Sequence, residues 1–329
     1  MPSSWFRNAY RTLQRIGSNQ RIRRWVSVGV FLCTVAFLVF LLLRSTDELR
    51  MLDDWPTYLG VCARGFLLYP ISLIVQALIW RMIIVRLGQM AGGWWDIEIY
   101  AYSSLMRHLP GMIWYLAGRA TMYYTRGVGA SVALMASGLE WFLLLAAAVL
   151  VYSTLSLTGS GMLLISIVLL SALIMGTAFG LRQALLASTR LPAPGFVRRR
   201  LTALATAPVP GTADLTLWLS LYVLTYFVAG WILFLLVRGV APEAAIGLYA
   251  AIRIWALTGG IGSLLSAIAP AGLGVRELTL TVLLSPTMPM AEAIVVAILL
   301  RMLYVGGSLV WGGMLWAIAR LIRRHRRGK

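Results

Sequence analysis

Residues 269–301 read APAGLGVRELTLTVLLSPTMPMAEAIVVAILLR, and the place where this run breaks decides the fold. Pro270, Gly272 and Gly274 interrupt an apolar segment, Arg276 and Glu277 follow at once, and a second turn falls at 285–289. A helix of about 13 residues rises only about 20 Å, short of a hydrocarbon core of about 30 Å. Broken backbone and ionisable side chains are tolerated at membrane depth only where protein or a water-filled space surrounds them. The stretch is therefore expected to line a site rather than to face lipid.

An earlier stretch has the same layout. Residues 103–120, SSLMRHLPGMIWYLAGRA, place a break at Pro110 and Gly111 between two short apolar pieces, with Arg119 embedded in the second. A long apolar run carrying Glu140 follows, as one carrying Arg301 follows the later break. Setting Pro110 on Pro270 brings Ser103 onto Ser263, Leu105 onto Leu265 and Glu140 to within one position of Arg301. Interrupted helices at corresponding places in two halves point to a transporter-type binding site.

Composition agrees with a membrane setting. The chain is 60% hydrophobic and 12% charged, which places it among polytopic membrane proteins. Its net charge of +18 suggests nucleic acid only until the arginines are located: they crowd beside apolar spans, the bias that holds loops in the cytoplasm. No nucleic-acid partner is expected. Cys33 and Cys62 lie apart in apolar segments, and His108 and His325 form no ligand cluster, so neither a disulfide framework nor a metal site is expected. No cofactor is expected either: GxGxxG, Walker A, GxSxG and HExxH are all missing, which argues against an enzyme.

Taken in order, residues 1–24 carry six arginines and no acid, with Trp5, Ala9, Leu13 and Ile16 at helical spacing. They read as a basic amphipathic helix on an anionic cytoplasmic leaflet, or as a basic signal that only fixes orientation. Residues 25–318 read as one transmembrane domain. A first span at 25–43 leads to an acidic loop at 44–58, which holds Asp53 and Asp54. The first half (59–181) then holds spans at 59–85, 130–157 and 162–181 around a broken hairpin at about 94–125. A basic cytoplasmic linker, 182–214, precedes a second half (215–318) with spans at 215–237 and 291–318 around a hairpin at 244–286. A basic tail, 319–329, closes the chain and also suits anionic headgroups. The expected fold is thus an all-α polytopic membrane protein of about six spans plus two Pro/Gly-broken re-entrant hairpins in an inverted repeat, with both termini in the cytoplasm. Counting each hairpin as two full crossings leaves that parity unchanged.

Arg119, Glu140, Glu277 and Arg301 are the charges expected to carry chemistry. Ions inside a bilayer need partners, so pairing within each half is the economical arrangement. Two structural ion pairs holding hairpin against span would explain them blandly. The functional alternative rests on Arg276 and Arg253 near the second break and Arg107 near the first: arginines outnumber acids, which suits an anionic group such as a phosphate.

The order LPG(x7)RA at 109–120, GLE at 138–140 and PAGLGVRE at 270–277 followed by Arg301 resembles the transmembrane region of lysylphosphatidylglycerol synthases, the flippase-like domain family. The second motif is usually PGG-G-x-x-E, and Ala271 here replaces a glycine. The resemblance spans about residues 59–318. It implies a cell-membrane protein that translocates or handles a phospholipid or polyprenyl-phosphate-linked lipid; an envelope-synthesis enzyme partner belongs to the scaffold alternative below. The chain ends eleven residues after the last expected span, so the soluble synthase domain of bifunctional members is not expected. Two other functions stay open: a polyprenyl-phosphate-dependent glycosyltransferase using Asp53 or Asp54, and a non-transporting scaffold.

Overall fold

The computed structural model describes residues 55–88, 93–107, 113–156, 176, 210–268 and 275–327. The expected surface helix at 1–24, the first span, Asp53 and Asp54, nearly all of 162–181 and of the linker, and the end of the tail lie outside the described residues. So do Cys33, His108, Pro110, Gly111, Pro270, Gly272 and Gly274.

The described residues form eight helices and no strand. These are α1 (Trp55–Gly88), α2 (Trp94–Met106), α3 (Ile113–Tyr124), α4 (Ala130–Ser156), α5 (Thr212–Val240), α6 (Leu248–Ile268), α7 (Val275–Leu284) and α8 (Met290–Arg327). Four of them, α1, α4, α5 and α8, are long and apolar enough to cross a membrane, and α6 carries a shorter apolar stretch. The protein is an all-α membrane protein. Its polarity is arranged accordingly: Leu67, Tyr249 and Leu278 are at least 65% exposed, whereas Arg119 and Glu140 are at most 1% exposed. Apolar side chains outside and charges inside suit a hydrocarbon solvent.

Several helices overrun the apolar runs that announce them. α5 starts at Thr212 because Asp214 caps it, its Oδ2 accepting the Gly211 N–H at 3.1 Å. α8 runs on to Arg327, so the segment expected as a tail continues the last span as helix. Residues 314–327 contain neither Gly nor Pro, and basic side chains near a helix C-terminus complement its dipole.

α1 passes through Pro70 without ending. Proline has no N–H, so the carbonyl of Phe66, four residues back, loses its helical donor. The indole Nε1 of Trp311 supplies one instead, donating to the Phe66 carbonyl at 2.9 Å. Trp311, expected only as an interfacial or packing aromatic, mends a backbone gap.

The two halves correspond helix by helix, α1 to α5, α2 to α6, α3 to α7 and α4 to α8. Each substantial packing contact has its counterpart: α2 on α8 matches α6 on α4, α3 on α4 matches α7 on α8, and α1 on α8 matches α5 on α4. The contacts α2 on α3, α1 on α2 and α1 on α4 have partners in α6 on α7, α5 on α6 and α5 on α8. α1 and α5 pack on each other and run antiparallel, since Arg86 near the end of α1 pairs with Asp214 at the start of α5 (3.0 Å) while Val61 meets Gly239. The pseudo-two-fold axis therefore lies across the spans, and the halves are inverted. One hairpin, α2–α3, starts from the Arg86 end of α1. The other, α6–α7, starts from the Val240 end of α5.

Close approach depends on particular glycines. A Cβ on Gly230 would lie 2.5 Å from the Ile252 Cα, so α5 and α6 touch through backbone there. In α8, Gly307 meets the Tyr69 ring and Gly312 meets Ser104, whereas a Cβ on Gly306 or Gly313 would meet no atom of the described residues. Among the described residues, one glycine of each pair serves helix packing.

Candidate functional site

Glu140 is the centre of the first-half cluster. Its Oε1 accepts from Arg107 Nη2 at 2.6 Å, and its Oε2 accepts from both Arg119 Nη1 and the Tyr115 hydroxyl. Four helices converge to arrange this. α4 carries Glu140, α3 carries Tyr115 and Arg119 one turn apart, α2 carries Tyr100 and Ser103 with Arg107 just past its end, and α1 brings Gln76 and Trp80. Arg119 Nε donates to Ser103 Oγ at 2.9 Å. Its guanidinium Cζ stands 3.6 Å from the Trp80 ring centre and 4.2 Å from that of Tyr115, flanked by two aromatic faces. Trp80 Nε1 donates to the Tyr123 hydroxyl at 2.8 Å, which donates in turn to buried Asp96 Oδ1 at 2.9 Å. Arg107 is more open, its side chain 29% exposed, and also donates to Tyr115 (2.8 Å) and to Gln76 Oε1 (3.3 Å).

The second-half cluster is built on α7 and α8. Arg301 pairs with Glu277, so each half pairs its own arginine and glutamate, as the sequence reading expects. Arg276 is different. Its exposed side chain has no carboxylate partner among the described residues, and its Cζ stands 4.2 Å from the Trp255 ring centre and 5.6 Å from that of Tyr304. Trp255 and Tyr304 stack at 5.2 Å. Arg253, also noted beside the second break, is half-buried on α6.

One face of α1 joins the clusters. Gln76 reaches Arg107 and donates to Ser72 Oγ at 3.0 Å, and one turn further back Tyr69 meets the Tyr304 ring edge-on at 5.3 Å. The Tyr69 and Ser308 hydroxyls are hydrogen-bonded at 2.7 Å. Tyr69 lies within electrostatic range of both Arg107 and Arg276. The connection between halves thus passes through the two more open arginines, beside the two closed ion pairs.

Of the residues singled out from sequence, Arg119 and Glu140 meet, Glu277 and Arg301 meet, and Arg276 stands on aromatic rings nearby. Pro110, Gly111, Pro270, Gly272 and Gly274 lie outside the described residues. By sequence Arg107 is only a nearby charge, and no motif marks Tyr100, Ser103, Tyr115, Gln76 and Trp80 as site residues. Tyr100, Ser103 and Arg107 fall at i, i+3 and i+7, and Ser72 and Gln76 at i and i+4. Those polar stripes on apolar helices were the signal available. The cluster has donors to spare: Arg119 Nη2 and the buried hydroxyls of Tyr222 and Tyr304 have no acceptor among the described residues. Among those residues no group of acids, histidines and cysteines suits a metal ion. Compared with known proteins, the chain matches no family model and no curated relative.

Proposed function

We propose that this protein translocates or handles an anionic lipid, a phospholipid or polyprenyl-phosphate-type molecule, across the cytoplasmic membrane, with both termini in the cytoplasm. The reading keeps the resemblance to the transmembrane region of lysylphosphatidylglycerol synthases, and it needs no catalytic chemistry. One observation carries it: in each inverted half a hairpin and the span after it hold a buried or half-buried Arg–Glu pair with a second, more open arginine beside it, Arg107 in the first half and Arg276 in the second. Arginine forks with surplus hydroxyl donors suit phosphate oxygens. The orientation is supported by Arg86, Arg126 and the basic end of α8, which share the end of the spans at which the first hairpin starts. Acyl chains are held to leave sideways past the exposed apolar faces.

The test is reconstitution of the full chain in liposomes carrying fluorescent phosphatidylglycerol, phosphatidate or a polyprenyl phosphate, with the outer leaflet bleached chemically. Faster transbilayer movement of an anionic lipid than in protein-free vesicles is the expected result. Movement no faster for every anionic class overturns the proposal.

A second reading is favoured by the closure of the first pair: Arg119 and Glu140 are buried and hydrogen-bonded on several sides, as a structural clasp would be. In that case the protein scaffolds an envelope-synthesis complex. Glu277→Gln then leaves partner-dependent activity intact, whereas the transport reading expects it to abolish lipid movement.

A further inference from the structure

Charge counting separates the arginines into two kinds. Arg119 and Arg301 are committed to carboxylates, with side chains 0% and 15% exposed. Arg107 shares a carboxylate already neutralised by Arg119, and Arg276 has none among the described residues. Arg107, Arg119 and Glu140 together leave one positive charge, and Arg276, Arg301 and Glu277 leave another. Both excess charges belong to the open arginines; Arg107 touches α1 at Gln76, and Arg276 approaches it through the Tyr304 ring. Gln76, which contacts Arg107, is seven residues from Tyr69, whose ring meets the Tyr304 ring near Arg276, a rise of about 10 Å.

We infer that Arg107 and Arg276 are the two poles of one subsite that takes a terminal, doubly charged phosphoryl group on a long-chain lipid, in preference to a singly charged phosphodiester. The inference rests on the transport reading and narrows its substrate class. A phosphomonoester carries about −1.5 to −2 at neutral pH and offers three acceptor oxygens. That cancels both excess charges, whereas a phosphodiester cancels one and leaves an unpaired arginine inside an apolar fold, which is unfavourable. Two tyrosine hydroxyls nearby are spare donors. Tyr222 lies within electrostatic range of Arg107 and Glu140, Tyr304 within range of Arg276, and each has a buried hydroxyl without an acceptor. Trp255 and Tyr69 bound the space with ring faces and edges, giving the start of an alkyl chain an apolar wall. Glu140 has both oxygens engaged by donors and Glu277 has Oε1 engaged by Arg301, so each carboxylate charge is already balanced by an arginine.

The experiment is calorimetric titration of the purified full chain in neutral detergent with three probes: dodecyl phosphate, dodecyl diphosphate and didodecyl phosphate. The monoester is expected to bind at least about tenfold more tightly than the diester. Arg276→Gln is expected to remove that preference by weakening the monoester alone, and Arg107→Gln to do the same. Arg276 is exposed and outside any ion pair among the described residues, so its replacement is expected to leave the fold in place, which thermal unfolding verifies. If Arg107→Gln fails to fold, the Arg276 variant and the wild-type comparison decide. Diphosphate binding tighter than monophosphate assigns one phosphoryl group to each arginine; equal binding assigns one phosphoryl group to both. Equal affinity for monoester and diester, or wild-type monoester affinity in Arg276→Gln, overturns the subsite. The liposome assay separates the two claims: movement of diester lipids without preference refutes the subsite and spares transport, and monoester binding without movement does the reverse.

Discussion

Arg119 is fully buried, and all of its surroundings except the site of Nη2, which has no acceptor among the described residues, compensate for that. Glu140 takes its charge, Ser103 takes Nε, and Trp80 and Tyr115 cover the faces that water would otherwise solvate. Removing either partner of such a pair strands the other and costs about 3–5 kcal/mol. Arg119→Ala and Glu140→Ala are therefore each expected to lower the thermal midpoint sharply in detergent. Arg119→Lys is expected to remain destabilised, because an ammonium cannot reach Ser103 and Glu140 while lying flat between two rings. A midpoint unchanged in Arg119→Lys would mean that charge alone matters here. The pair was legible in the sequence because a charge inside an apolar run stands out. Its aromatic walls were not, since a tryptophan in a core and one in an interfacial belt look alike until helices are placed beside each other.

Element by element, backbone contact does what side-chain pattern does not announce. The Pro70 break in α1 and the Trp311 indole form one joint, and their energies are coupled. Trp311→Phe should leave the Phe66 carbonyl unsatisfied and cost about 1–3 kcal/mol. In a Pro70→Ala background, where residue 70 regains an N–H for that carbonyl, the same substitution should cost much less, which a double-mutant cycle in thermal unfolding measures. Gly230→Ala should force α5 and α6 apart at Ile252 and destabilise the protein, while Gly306→Ala and Gly313→Ala, whose added Cβ meets no atom of the described residues, should stay within about 0.5 kcal/mol of the parent. Chain breaks and helix lengths were readable from Pro, Gly and hydropathy, and the observed α2, α3, α4 and α7 follow them. Which glycine of a pair meets a neighbour was not readable, because one residue of rotation about α8 decides it. The basic end of α8 was read as a tail for a related reason: composition reports where apolar residues stop, not where helical hydrogen bonding stops.

For the molecule as a whole, the order of charges along the two halves has a physical effect. The first half places arginine on the hairpin and glutamate on the span; the second places glutamate on the hairpin and arginine on the span. A two-fold axis lying across the spans reverses any arrow drawn along them, and exchanging the signs reverses it again. The two ion pairs are thus dipoles whose components along the spans add, although the helices that hold them point opposite ways. Exchanging one pair, Glu277→Arg with Arg301→Glu, keeps the contact and makes the two components cancel. That variant should fold nearly as well as the parent yet respond differently when a potential is imposed on the liposomes; an identical voltage response would show the dipoles to be inert. Their size sets what they do. Charges about 4 Å apart across a core of about 30 Å feel at most about 0.3 kcal/mol per 100 mV, whereas a dianion carried the whole way feels about 4.6. The paired charges give the protein an electrical polarity; if the cargo is the proposed dianion, the field would act far more on the cargo than on these pairs.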